Sequence, residues 1–131
     1  MLPPPAPADA KRSRELRILV VEDNADALFL ACEMLKVLGH TVSGAGHAEA
    51  ALAELAQARF DVLFSDVSLP GMSGIALARL ARQRQPGLQV IFASGYADTL
   101  LADLDFPCVA LPKPYELERL QAVLAAVQTC D

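Results

Sequence analysis

Five side chains in this sequence are of types that, brought together, could manage a phosphoryl group. Glu22 and Asp23 follow one short apolar run, Asp66 follows a second, Ser94 a third, and Lys113 stands between Pro112 and Pro114 after a fourth. Two carboxylates about 4 Å apart repel by roughly 1–4 kcal/mol at effective dielectrics of about 80 to 20. Three together are costly to hold unless a cation sits among them. Hard oxygen donors with room for water suit Mg²⁺, or Mn²⁺ in its place. Imidazole and thiolate donors are missing from the set, which argues against zinc. Lys113 adds a second positive charge on a flexible stem. A cation, an ammonium and a hydroxyl converging on one carboxylate can hold a phosphoryl group and offset its charge. A carboxylate can also act as a nucleophile and form an aspartyl phosphate. Each residue alone has an ordinary role: an acidic pair or Asp66 capping a turn, Ser94 before Gly95 as a turn residue, Lys113 as surface charge. The set matters because of where its members fall.

The elements that must position these residues alternate between two periods. Arg17–Val21 is a short β-branched apolar run and reads as a buried strand. From Asp26 to Gly39, Leu28, Ala31, Leu35 and Leu38 recur on one helical face, with Asn24 or Asp26 as N-cap and Gly39 as the stop. Thr41–Ala45 reads as a second strand, His47–Ala58 as an Ala-rich helix, and Phe60–Ser65 as a third strand. The turn-rich loop Leu69–Gly74 leads to a helix over Ile75–Gln85, ended by Pro86-Gly87. Leu88–Ala93 is a fourth strand, Tyr96–Leu104 at most a short helix, and Pro107–Leu111 a fifth strand. The last helix spans Tyr115 to Thr129, with Leu117, Leu120, Leu124 and Val127 on one face. Five strands alternating with helices call for an α/β fold with a parallel sheet covered on both faces and right-handed crossovers. Ligands in such sheets bind outside the carboxyl ends of the strands. All five chemical residues fall at that edge.

Composition narrows the class. The 131 residues suffice for one domain; 53% are hydrophobic, and the formal net charge is −5. A chain this apolar can bury enough surface to fold. Its acidity argues against nucleic-acid contact. Asp26, Glu33 and Lys36 break the apolar stretch Ala27–Leu38, so a membrane span is not expected. The N-terminus carries no basic region followed by an apolar one, as a secretory signal would. Cys32, Cys108 and Cys130 are scattered, which fits a reduced cytoplasmic protein, with Cys32 and Cys108 as small buried residues and Cys130 exposed at the tail. Residues 1–15, rich in Pro and Ala, read as a stiff linker preceding a domain over 16–131. His40 sits where a helix ends and can serve its last carbonyls. His47 opens a helix with no ligand partner at useful spacing.

Three segments carry a resemblance: Ile18-Leu-Val-Val-Glu-Asp-Asn24, Asp61-Val-Leu-Phe-Ser-Asp-Val-Ser-Leu-Pro-Gly-Met-Ser-Gly74 and Leu111-Pro-Lys-Pro-Tyr115. They are similar to the signatures of CheY-like receiver domains of two-component response regulators. The resemblance spans about Leu16 to Thr129. It implies a flavodoxin-like (CheY-like) five-stranded parallel sheet in the order 2-1-3-4-5. It further implies Asp66 as phosphoacceptor and Mg²⁺ held by Glu22, Asp23, Asp66 and the backbone carbonyl of Ser68. Ser94 and Lys113 would engage the phosphoryl group, with a cis bond between Lys113 and Pro114. The donor would be the phosphohistidine of a histidine kinase or phosphotransfer domain. The chain would catalyse its own phosphorylation and dephosphorylation, with no separate substrate turned over.

The chain departs from the family pattern at Ala110, where receivers usually carry Tyr or Phe. Only nineteen positions separate Ser94 from Lys113, which is short for a full fourth helix and loop. Phe92-Ala-Ser-Gly-Tyr96 is similar to the signature of the FATGUY receiver subgroup, which has a reduced fourth helix. Tyr96 and the loop after Ser94 are therefore the expected carriers of the signal. The segment also resembles receivers attached to hybrid sensor kinases, where other domains of the same chain would be partners; no output domain fits within this length. A receiver-fold module that no longer needs phosphate is the second reading, with Ala110 in its favour. A nucleotide- or flavin-binding domain would want a Gly-rich loop where Glu22-Asp23-Asn24 stands.

Overall fold

The apolar runs pair into one sheet, and the computed structural model describes residues 15–95 and 106–128 of it and its covering helices. The strands are β1 (Arg17–Val21), β2 (Thr41–Ala45), β3 (Val62–Asp66), β4 (Gln89–Ser94) and β5 (Val109–Pro112). Helices α1 (Ala25–Val37), α2 (Ala48–Gln57) and α3 (Gly74–Arg84) follow the first three strands, and α4 (Leu117–Gln128) follows β5. All pairings are parallel, in the order β2-β1-β3-β4-β5, as the resemblance implies. The expected helix at Tyr96–Leu104, the switch candidate Tyr96, the linker up to residue 14, and Cys130 lie outside the described residues.

Successive side chains of a strand point to opposite faces, so the sheet builds two cores. Leu19, Val21, Leu63, Val90 and Phe92 pack against α2 and α3. Ile18, Val20, Val62, Phe64 and Ile91 pack with Ala31 and Leu35 of α1 and with Leu120 and Leu124 of α4. Burial on both faces explains why these strands read as continuous apolar runs. Each fully buried Leu, Ile, Val or Phe contributes roughly 1.5–3 kcal/mol relative to exposure.

Helix ends follow their signals. The Asn24 side chain accepts from the Ala27 N–H and caps α1. At the other end the Gly39 N–H bonds to the Lys36 carbonyl, and the φ of +97° at Gly39 turns the chain so that the His40 N–H reaches the Leu35 carbonyl. His47 Nδ1 caps α2 by accepting from Ala50, and Ser73 Oγ caps α3 by accepting from Ala76.

Four expectations are corrected. The third strand begins at Val62, because Asp61 turns its carboxylate to the Arg17 N–H, and it runs on to include Asp66. Leu117, expected on the buried face of α4, lies at the start of the helix and is exposed; Val123 is buried with Leu120, Leu124 and Val127 instead. Cys32 and Cys108 are half-buried, and that burial pushes both thiols up. The His40 ring does not serve the carbonyls of α1. Its Nδ1 accepts the Leu16 N–H at 3.0 Å, and burial lowers the imidazole pKa against the opposing charge of Glu15.

Candidate functional site

The carboxyl edge of β1, β3, β4 and β5 brings the predicted residues together. Backbone pairing does most of the placement. Val21 is in register with Ser65, so Glu22 and Asp23 emerge beside Asp66 at the end of β3. Asp66 is in register with Ala93, and Ser94 with Pro112, which sets Ser94 and Lys113 on the other side. The Lys113 N–H bonds to the Ser94 carbonyl at 3.2 Å, and the bond from Lys113 to Pro114 is cis.

Carboxylate oxygens of Glu22, Asp23 and Asp66 all lie within 4.8 Å of one another. Lys113 Nζ donates to Glu22 Oε2 at 2.7 Å and to Asp66 Oδ2 at 3.2 Å. The second oxygen of each acid is also engaged: Asp66 Oδ1 accepts from the Ser68 N–H at 3.2 Å, and Glu22 Oε1 from the Asn24 N–H at 3.4 Å. Glu22 is buried, Asp66 half-buried and Asp23 exposed, so the cluster opens to solvent through Asp23. Burial alone would pull the Lys113 pKa down. The hydrogen bond to Glu22 and the charges of Asp66 and Glu22 outweigh it, and the ammonium is held above its ordinary value. Ser94 is buried at the end of β4.

The donor set fits a hard divalent cation. It offers three carboxylates from two adjacent strand ends, with no competing imidazole or thiolate and with an open side for water. A single ammonium offsets only part of the negative charge that three carboxylates bring.

Two features were missed by sequence reasoning. Gly74 is the first residue of α3, and a Cβ there would stand 1.9 Å from the Asp66 carbonyl oxygen. Its N–H bonds to the Val67 carbonyl at 2.7 Å, so α3 begins pressed against the backbone of Asp66. The signal was present in the sequence: a glycine opening a helix directly after a Ser cap is a poor helix former unless something approaches closely. The other is Tyr115, which meets Phe64 edge-on with ring centroids 6.0 Å apart and anchors the turn after Lys113. Burial raises its phenol pKa, opposed by the charge of Lys113.

Residues 18–125 match the response regulator receiver domain family. The chain belongs to that family. This receiver is 35% identical over 107 residues to the response regulator receiver protein CpdR of Brucella abortus, covering 79% of this chain and 89% of that protein. It is 40% identical over 100 residues to the virulence sensor protein BvgS of Bordetella pertussis, covering 73% of this chain but only 8% of BvgS. Among solved structures, the receiver domain of the hybrid histidine kinase CckA superimposes with a TM-score of 0.74 at 32% identity, over 86% of this chain and 99% of that one. The chemotaxis response regulator CheY4 of Vibrio cholerae gives a TM-score of 0.78 at 24% identity, over 86% and 98%. The fold is thus CheY-like, and the receiver belongs to two-component signalling. No helix among the described residues is long and apolar enough to cross a membrane.

Proposed function

We propose that Asp66 is the phosphoacceptor of this receiver and that Lys113, Ser94 and the acidic pair assist its phosphorylation. The observation that carries this reading is the Lys113 ammonium, which bridges Glu22 and Asp66 inside a three-carboxylate cluster. The Asp66 carboxylate attacks phosphorus, the bond from phosphorus to the donor histidine nitrogen breaks, and an acyl phosphate forms. Lys113, already beside Asp66, offsets charge on the transferred group, and the Ser94 hydroxyl donates to one of its oxygens. Glu22, Asp23, Asp66 and the Ser68 carbonyl would hold Mg²⁺ or Mn²⁺, which when bound neutralises phosphoryl oxygens. Attack of water on the acyl phosphate returns the free Asp66.

The partner is a histidine kinase or phosphotransfer domain. Phe29 and Leu30 are exposed on α1, the helix that starts two residues after Asp23, and offer such a domain an apolar contact beside the site. We infer a receiver over 16–131 that follows a Pro- and Ala-rich linker over 1–15 and works in the cytoplasm; the likeness to BvgS, of which the match covers 8%, supports a place beside other domains of one chain. Phe92-Ala-Ser-Gly-Tyr96 together with Ala110 supports membership of the FATGUY subgroup, with Tyr96 contributing to the signal. Tyr96→Ala is then expected to alter partner binding.

The test is a small phosphodonor. Intact-protein mass after incubation with acetyl phosphate and Mg²⁺ is expected to rise by one phosphoryl group. Chelation of Mg²⁺ or Asp66→Asn is expected to abolish the gain. A wild-type chain unmodified by both acetyl phosphate and a phosphorylated kinase domain would overturn the reading.

A further inference from the structure

Charge is spread unevenly over this receiver. The chain is acidic overall, yet no Asp or Glu occurs from Val67 to Gly95, and α3 within that stretch carries Arg79, Arg82 and Arg84. Arg82 and Arg84 stand in its last turn, and Arg59 follows the end of α2 alongside. Arg59, Arg82 and Arg84 form no ion pair among the described residues. An arginine at a helix C-terminus ordinarily answers the helix dipole. That role is too small here. The ends of α2 and α3 present about half a negative charge each, against three guanidinium groups. The end of α2 is moreover already served, since Gln85 Nε2 donates to the Leu55 and Ala58 carbonyls at 3.0 and 2.8 Å. A surplus of about two positive charges remains.

These arginines border two grooves that share Pro86. One, of about 370 Å³, opens between the ends of α2 and α3, with Arg59, Arg84 and Gly87 in its walls. The other, of about 350 Å³, lies between Arg82, Gln83 and the ring of Phe106. Gln85, which also lines the first groove, is fixed: besides its two donations, its Oε1 accepts from the Phe60 N–H at 2.8 Å. The Phe106 wall of the second is held by the guanidinium carbons of Arg79 and Arg82, 5.5 and 5.3 Å from its centroid, and by the buried ring of Phe92 at 6.4 Å. Both grooves stand where β3 and β4 begin, at the opposite edge of the sheet from Asp66. An occupant there leaves the phosphorylation site open.

We propose that this surface docks an acidic, extended segment of a partner protein, whose carboxylates pair with Arg59, Arg82 and Arg84. The planar fork of arginine matches a carboxylate through two parallel N–H···O bonds. A nucleic acid is the poorer match. Its phosphates need a row of cations, and a long polyanion leaving the patch meets the acidic remainder of the chain. A short peptide segment can end within the patch. The inference does not depend on which residue accepts the phosphoryl group.

The probe is a fluorescein-labelled hexaglutamate peptide added to the full chain at low ionic strength, followed by polarisation and by amide resonances. The amides of Arg59, Arg84, Gln85 and Gly87 are expected to move. Arg59→Gln combined with Arg84→Gln is expected to weaken binding about tenfold or more. Lys11→Gln combined with Arg12→Gln, in the basic stretch before the domain, is expected to change it less than about twofold. Both variants should keep the urea midpoint of the wild type, since all four side chains are replaced outside the core. A hexathymidylate strand is expected to bind about tenfold more weakly than the peptide. Equal or tighter binding of the strand would overturn the inference in favour of a nucleic acid. Amide shifts confined to residues before Leu16, undiminished affinity in the Arg59 and Arg84 variant, or no binding of the peptide at all would each overturn it outright.

Discussion

The two halves of the sheet's carboxyl edge are built on different principles. At β1 and β3, charged groups hold one another. Both oxygens of Glu22 and of Asp66 are engaged, and Lys113 closes the cluster from β5. The strands below are buried nearly end to end. At β4 and β5 the cover is aromatic and lent from elsewhere. β5 has four residues, only Leu111 of them buried, and the face beside Ala110 is closed by Phe106 and two arginines of α3. The first half fixes the chemistry in one geometry. The second meets the acids through the β3–β4 pairing and the Lys113 side chain, while its aromatic cover touches none of them.

Four substitutions test this contrast. The largest effect is expected for Gly74→Ala. Its Cβ would meet backbone rather than a yielding side chain, so α3 must lift from Asp66. Chemical denaturation should show a loss of about 3 kcal/mol, with phosphoryl uptake impaired. Lys113→Ala comes next, since it leaves the buried Glu22 without its cation; a loss of about 2 kcal/mol is expected in EDTA. Added Mg²⁺ should recover part of that loss, because a divalent cation can replace the missing charge. Recovery in EDTA-free buffer that is no greater than for Asp66→Asn would contradict shared use of the cluster.

Phe106→Ala should cost about 1 kcal/mol or somewhat more, as a half-buried ring and two cation–aromatic contacts are lost. Phosphoryl uptake should persist. A collapse of uptake in this variant would show that the two halves are not separable. The smallest effect concerns His40. Its native pKa lies below the ordinary 6.5, so the unfolded chain takes up the proton first as pH falls. The stability tied to the neutral ring is present above 6.5 and is lost as pH drops through that value toward the lower native one. His40→Asn, which keeps an acceptor for Leu16, is expected to lose less stability than wild type between pH 7.5 and 5.5 in urea titrations.

Most of the first half was legible from residue types alone. A buried strand needs a run such as Ile18-Leu-Val-Val21, and a carboxylate directly after it must lie at the sheet edge, so Glu22, Asp23 and Asp66 could be placed together before any geometry. The strand order was not contained in the periodicity and came from the resemblance. The pairing of Lys113 with Glu22 was not legible, since ninety-one positions separate them and only the fold decides which acid the ammonium reaches. Phe106 was hidden for the same reason: α3 carries its arginines, and nothing local announces the contact. The third strand was shifted because Phe60 and Asp61 look strand-like, while Asp61 in fact answers the Arg17 N–H. The closeness of Gly74 to Asp66 needed only a stricter question about why a helix should open on glycine.

The central claim is that the Asp66 carboxylate carries the phosphoryl group. Borohydride reduces an acyl phosphate to an alcohol, which leaves homoserine where aspartate stood. Treatment with acetyl phosphate and Mg²⁺, then borohydride, then peptide mass analysis should place homoserine at position 66 and nowhere else. Reduction at Asp23 or Glu22, or none at all in a chain that has gained phosphoryl mass, would contradict the assignment.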